Sequence, residues 1–477
     1  MSIPLKFYVS RNDYTVMAGP DWPTYEDYLS GSTSTMPEVQ TEIKNWTLDL
    51  VQQGMSFPIE TPTACVYKWS WSTIYLNQLS TASCHRAGTM KFTIDEFDNF
   101  HNLPKKQQDR RDMLAGEWPR GGCYYCQNIE QAGGESDRSL SLGTRGLTPP
   151  ELVDNPGAVS VSPKLIEIFA QNTCNLACVY CNDTLSSRIE VENKKHGEFN
   201  SNGVTISISN TSDANSDQYF DRFIIWLDSN IKTLRRLHLL GGETFIQHKL
   251  MTQVLDIIER NPNPDLELCA FSNFNAPRKH WYSYIERIKQ LQRRGHIRVF
   301  DLTASIDCWG PEQQYVRSGL DLLMFEEYFA WAAEQDESWL RLTVNQTVTS
   351  MTIRTMPELI EKITKYSEKR KIGHYFQFVG PIDPDLVGQE ARQCQHPKQF
   401  AYSHWQDDFE RIFSVMPSQT EEQLQARERM TGLQRVLQQT THHNYQAISQ
   451  LHTYLDELDR RRGTAWRRLF PYLDIKE

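Results

Sequence analysis

The sequence predicts an α/β chain: a partial (β/α)6 TIM-type barrel with a small N-terminal α+β module and a helical C-terminal tail. Three observations predict it. From Lys164 onward, six short apolar runs alternate with amphipathic stretches of helical period. Before that point the chain is aromatic and cysteine-bearing, with few long apolar runs. After about residue 390 it turns polar and helical. The 477 residues exceed one ordinary compact domain. The reading divides them into an N-terminal segment 1–60, a module 61–150, a barrel 160–385 and a helical region 390–477.

The predicted strands are 164–170, 235–240, 266–272, 298–306, 340–348 and 375–380. Between them YFDRFIIWLDSNIKTL, HKLMTQVLDIIER, WYSYIERIKQLQRR, LLMFEEYFAWAAE and MPELIEKITKYSEK place apolar residues at i, i+3, i+4 and i+7. An insertion at about 183–216 contains GVTISISN, read as a small hairpin. The Gly/Ser-rich stretch Gly133–Gly157 reads as a linker. In a barrel of this kind, the loops at strand C-termini build the site.

Composition excludes some functions. The net charge of −10 argues against a broad nucleic-acid footprint. No window approaches the roughly 20 apolar residues of a membrane helix. The N-terminus lacks the apolar core of a secretory signal. A cytoplasmic protein is expected, without membrane or nucleic-acid partners. In that compartment the ten cysteines are read as metal or cluster ligands rather than disulfides.

After the first predicted barrel strand comes QNTCNLACVYCND, with the spacing Cys174-x3-Cys178-x2-Cys181. Three thiolates on one tight loop suit three irons of a 4Fe–4S cluster and leave the fourth iron open. A zinc site would want a fourth Cys or His nearby, and His196, in a polar insertion, is the nearest downstream candidate. CNLACVYC resembles the signature of the radical S-adenosylmethionine superfamily, with Tyr180 as the aromatic before the last cysteine. That resemblance implies S-adenosylmethionine on the open iron, reductive cleavage, and hydrogen abstraction by a 5′-deoxyadenosyl radical.

LHLLGGETF resembles the family's GGE motif. The resemblance implies that Gly241 and Gly242 let the backbone approach the cofactor and that Glu243 meets its ammonium group. TASIDCWG places Ser305 and Asp307 where relatives contact the ribose. Arg317, in QQYVRSG, resembles the arginine that meets the methionine carboxylate, and Tyr180 is expected near the adenine. SNFN (272–275) resembles the usual polar end of the third strand without a firm role. Cys308, at a strand C-terminus, is a candidate hydrogen donor to a substrate radical.

Upstream lie Cys65, Cys84, Cys123 and Cys126. Spacing alone leaves zinc and a fully ligated 4Fe–4S cluster both open. The string GE-x-P-x3-CxxC-x3-E-x5-S-x-R resembles a subgroup with a twitch/SPASM-like auxiliary-cluster module before the barrel. This implies a second 4Fe–4S cluster with relay or supporting duty. Relatives with such modules often modify ribosomally made peptides by crosslinking, epimerisation or backbone excision. A peptide or protein substrate is therefore expected, with a ferredoxin or flavodoxin as reductant and a leader-binding accessory protein as a further partner. A small-molecule substrate, or a two-cluster electron-transfer protein, is the alternative.

Overall fold

The computed structural model describes residues 61–120, 122–131, 136, 138, 153–209, 216–380 and 390–476, together with two short N-terminal strands. Those strands, β1 (Lys6–Val9) and β2 (Tyr14–Met17), pair antiparallel with Lys6 opposite Met17. The rest of segment 1–60 and most of the 133–157 linker lie outside the described residues.

The chain divides into two compact units. The smaller comprises Met1–Thr73 and Ser80–Ile166; the larger comprises Ile74–Leu79 and Glu167–Glu477. The sequence-based boundary near residue 150 thus lies ahead of the division at Ile166, and the helical region 390–477 belongs to the larger unit.

In chain order, the smaller unit contributes helix α1 (Val66–Ser70), strands β3 (Trp71–Tyr75), β4 (Ser80–Ala82) and β5 (Met90–Lys91), and helices α2 (Pro104–Leu114) and α3 (Tyr124–Gln131). Strand β3 runs on into Ile74 and Tyr75 of the larger unit. β4 and β5 form an antiparallel pair. Tyr67, Trp69, Trp71, Met113 and Val153 supply a small apolar core. Phe92, Phe97, Phe100 and Leu103 are buried in this unit as well, beside several buried polar and charged residues described below.

In the larger unit, strands β6 (Leu165–Phe169, which begins in the smaller unit), β10 (Arg236–Leu240), β11 (Glu267–Ser272), β12 (Val299–Ser305), β14 (Leu340–Val348) and β15 (Ile372–Phe378) lie side by side in that order. β10 to β15 run parallel through the registers Arg236↔Glu267, Glu267↔Val299, Phe300↔Leu340 and Leu342↔Ile372. The sheet order makes the fold α/β with a large, mostly parallel, nine-stranded sheet, β15-β14-β12-β11-β10-β6-β3-β4-β5. The last strand starts earlier than the sequence suggested, because Ile372 and His374 are buried in register with Leu342 and Val344.

Side chains alternate across each strand. On β14, Leu340, Leu342 and Val344 are buried, whereas Arg341, Thr343 and Asn345 are half-buried. The buried face meets helices α9 (Leu322–Ala333) and α10 (Met356–Ser367), which contact β14 and β15 respectively. Helix α6 (His248–Arg260) buries Leu250, Met251, Val254, Leu255, Ile257 and Ile258, the stripe its period predicts. Helix α7 (Arg278–Arg293) buries Trp281, Ile285, Ile288 and Leu291. Asp321 caps α9 by accepting from the backbone N–H of Leu323 and Met324.

The insertion after β6 holds helix α4 (Ser187–His196) and the expected hairpin, β8 (Phe199–Ser201) with β9 (Val204–Ile206). Helix α5 (Ser216–Asn230) leads into β10. The short ladder of β7 (Ala177–Cys178) with β13 (Arg317–Ser318) follows α8 (Pro311–Val316). The C-terminal helices are α11 (Glu390–Gln393), α12 (Gln406–Val415), α13 (Glu421–Gln438), α14 (Tyr445–Arg462) and α15 (Trp466–Leu469). They pack with Val179, Tyr315, Val316 and Val348 into one apolar cluster around Trp405 and Trp466. Among the described residues no helix is long and apolar enough to cross a membrane.

Candidate functional site

In the larger unit, Cys174, Cys178 and Cys181 sit half-buried on the loop leaving β6. The loop is held from several directions. Cys178 pairs with Arg317 in the β7–β13 ladder, and Val179 N donates to Val316 O at 2.8 Å. From the C-terminal region, Tyr454 Oη donates to Val179 O at 2.6 Å, Gln395 Nε2 to the same carbonyl at 3.1 Å, and Arg392 Nη1 to Tyr180 O at 2.7 Å. Sequence reasoning left these three residues without a role. They stand more than 200 positions from the loop, with no local motif to mark them.

Gly241 and Gly242 follow β10 at positive φ, +87° and +50°. Their freedom is needed against the cysteine loop itself. A Cβ on Gly242 would stand 2.0 Å from Thr173 O, and one on Gly241 would stand 2.8 Å from Gln171 O. Glu243 N donates to Thr173 O at 2.8 Å. The Glu243 carboxylate is buried and accepts from Ser272 Oγ at 2.8 Å, Asn273 N at 2.6 Å and Phe245 N at 3.1 Å. Burial pushes its carboxyl up to about 7 against these stabilising donors.

The SNFN segment therefore has a definite place. Ser272 and Asn273 orient Glu243, while Asn273 Nδ2 donates to Asn175 Oδ1 at 2.9 Å and Asn175 Nδ2 to Asn275 O at 2.7 Å. Phe274 between them has φ +53°, in the left-handed region uncommon for bulky residues. Its ring packs against Trp281 and Phe325, at centroid distances of 4.8 and 5.4 Å.

Tyr180, Asp307 and Arg317 meet one another. Arg317 grips Asp307 with two parallel bonds, Nε to Oδ2 at 2.7 Å and Nη2 to Oδ1 at 2.9 Å. Tyr180 Oη donates to Asp307 Oδ2 at 2.8 Å, and Thr347 N to Oδ1 at 3.0 Å. Asp307 is fully covered and both of its oxygens are committed to protein donors. Ser305, half-buried at the end of β12, lies two residues before it. Cys308 stands apart: its thiol is fully covered and turned to Gln313 Oε1 at 3.4 Å.

Burial, and the mutual repulsion of neighbouring thiols, push Cys174 and Cys178 up, the latter to about 12. Burial likewise raises Cys181. Arg317 opposes the rise at Cys178, and Arg392 at Cys181. A cationic iron–sulfide core would relieve that repulsion, so the donor set fits a 4Fe–4S cluster with three protein ligands.

In the smaller unit, Cys65 precedes α1, Cys84 follows β4, Cys123 precedes α3 and Cys126 lies within it. All four line one open cavity with Lys68 and Arg138. Arg86 N donates to Cys84 Sγ at 3.4 Å. The E-x5-S-x-R string also gains a reason. Arg138 pairs with Glu130, which also accepts from Ser136, and donates to Ala64 O at 2.7 Å beside Cys65.

Burial raises the Cys65, Cys84 and Cys123 thiols, Cys84 to about 11. Among the described residues no three His, Cys, Asp or Glu side chains close tightly enough to hold a single metal ion. Four cysteines facing one cavity could close a tetrahedral zinc site or fully ligate a 4Fe–4S cluster.

No protein-family model matches the chain, and no curated protein matches it.

Proposed function

We propose that this chain is a radical S-adenosylmethionine enzyme with two 4Fe–4S clusters, acting on a peptide or protein in the cytoplasm. The observation that carries the reading is the approach of the Gly241–Glu243 turn to the three-cysteine loop, which sets a buried, oriented carboxylate beside three thiols. The strands β6, β10, β11, β12, β14 and β15 are read as an open (β/α)6 barrel with this site at its C-terminal rim.

In this reading Cys174, Cys178 and Cys181 hold three irons, and the bound cluster with S-adenosylmethionine supplies one-electron cleavage and hydrogen abstraction. Glu243, steadied by Ser272 and Asn273, accepts hydrogen bonds from the cofactor's ammonium. Arg317 is aimed by Asp307 and keeps Nη1 uncommitted among the described residues for the cofactor's carboxylate. Tyr180 flanks the adenine. The ribose contact falls to Ser305, because Asp307 is spent on Arg317, Tyr180 and Thr347. Cys65, Cys84, Cys123 and Cys126 hold the auxiliary cluster. A ferredoxin or flavodoxin supplies electrons, and an accessory protein presents the substrate leader.

The test is anaerobic reconstitution with iron and sulfide, then dithionite and S-adenosylmethionine, with chromatography for 5′-deoxyadenosine. Product from the wild type and none from Cys174→Ala supports the reading. Absence of product, with a cluster spectrum unmoved by S-adenosylmethionine, would favour a two-cluster electron-transfer protein.

A further inference from the structure

The smaller unit buries more positive than negative charge. Lys68, Lys106 and Arg110 are each 3% exposed or less, and Asp109 is the one comparably buried carboxylate among the unit's described residues. Lys68 Nζ meets Asp109 at 2.6 Å, but Asp109 also serves the half-exposed Lys105. The other cations have neutral partners only. Lys106 Nζ donates to Ser72 Oγ at 2.8 Å, Thr81 Oγ1 at 2.9 Å and Ala82 O at 3.2 Å. Arg110 donates to Lys68 O at 2.7 Å, Val159 O at 2.7 Å and His101 O at 2.9 Å. His101 is held neutral by burial and by these neighbours.

Burying an uncompensated ion costs on the order of several kcal/mol. Negative charge can enter beside these cations at the cavity that Lys68 lines with the four cysteines. Four thiolates around an oxidised 4Fe–4S core carry a net charge of about −2. That would offset the positive charge that Asp109 alone leaves on Lys68 and Arg110, and it would oppose the fall in pKa that burial, Arg110 and Lys68 impose on Lys106.

We propose that Lys68, Lys106 and Arg110 are the built-in counter-charge of the group held by Cys65, Cys84, Cys123 and Cys126, and that Lys68, which lines the cavity, holds its reduction potential up. This rests on the auxiliary-cluster reading. Reduction places one electron from an external reductant on that group and makes or breaks no bond. A fixed cation at the cavity wall favours the added charge.

The experiment uses the full chain with Cys174, Cys178 and Cys181 all replaced by Ala, which isolates the auxiliary group. The parent protein, Lys68→Met, Lys68→Arg and Asp109→Asn are reconstituted anaerobically, assayed for iron and sulfide, and titrated with dithionite under electron paramagnetic resonance. At the potential where the parent is half-reduced, Lys68→Met should show a reduced-to-oxidised ratio about tenfold lower, about 59 mV for one electron. Asp109→Asn should raise the ratio, and Lys68→Arg should leave it close to the parent's.

An unchanged ratio in Lys68→Met overturns the proposal, as do shifts of the same sign in Lys68→Met and Asp109→Asn. If Lys68→Met takes up no iron, Asp109→Asn decides: a fall or no change overturns. A folded parent protein that binds no iron overturns instead the auxiliary-cluster reading beneath it.

Discussion

The two cysteine sites are built in opposite ways. Cys174, Cys178 and Cys181 occupy eight consecutive residues, and their loop is steadied by neutral and cationic donors to its own carbonyls, from Tyr454, Gln395 and Arg392. Cys65, Cys84, Cys123 and Cys126 are drawn from a span of some sixty residues around a cavity lined by Lys68, in a unit that also buries Lys106 and Arg110. On the proposed reading, a three-ligand loop that leaves one coordination position open needs its backbone fixed. A four-ligand site would fix its own geometry and need its charge balanced instead.

The largest effects should come from the ligands themselves. Replacing Cys174, Cys178 or Cys181 with Ala should abolish 5′-deoxyadenosine formation and cut bound iron from about eight to about four per chain. Cys123→Ala should remove only the other four and lower the melting temperature of the smaller unit. Equal loss of both clusters in either variant would erase the distinction.

Gly242→Ala should be nearly as damaging to the three-cysteine loop alone. The left-handed φ costs about 1–2 kcal/mol, and the clash with Thr173 O adds to it. Iron analysis should then show the auxiliary cluster intact. Glu243→Gln should retain both clusters and weaken S-adenosylmethionine binding about tenfold, the value of one charged hydrogen bond; equilibrium dialysis measures it. Tyr454→Phe leaves Val179 O with Gln395 as its remaining side-chain donor and should destabilise the larger unit by about 1 kcal/mol. Denaturant titration reads that loss, and no change would remove α14 from the loop's support.

Acid should act through one buried imidazole. Burial, reinforced by Arg429, lowers His374 from 6.5 to about 3. The unfolded state therefore binds the proton first. The stability His374 supplies is complete above pH 6.5 and lost below it, by about 1.4 kcal/mol per pH unit down to pH 3. His374→Gln should flatten that slope in denaturant titrations between pH 7 and 5.

Much of the sheet was legible because its strands are short apolar runs set between stretches of helical period. The run 340–348 coincides with β14, and HKLMTQVLDIIER coincides with α6. The three-cysteine loop was legible because its cysteines are neighbours in sequence. The supporting residues were not, since Tyr454, Arg392 and Gln395 look like ordinary helix positions until the chain returns to the loop. The pairing of Arg317 with Asp307 was also hidden. Each residue alone suggested a ligand contact, and only their bidentate geometry reveals that Asp307 serves the protein. The buried cations of the smaller unit were illegible for a related reason. Lys106 and Arg110 sit in PKKQQDRRDML, whose charged composition gives no sign that both are buried.

The six residues Ile74–Leu79 belong to the larger unit although the chain on either side of them belongs to the smaller. During synthesis they leave the ribosome well before the residues from Glu167 onward that complete their unit. They wait for their partners while every residue of the smaller unit has already been made by Ile166. A single cut after Ile166 would release the smaller unit only with these six residues still carried inside it.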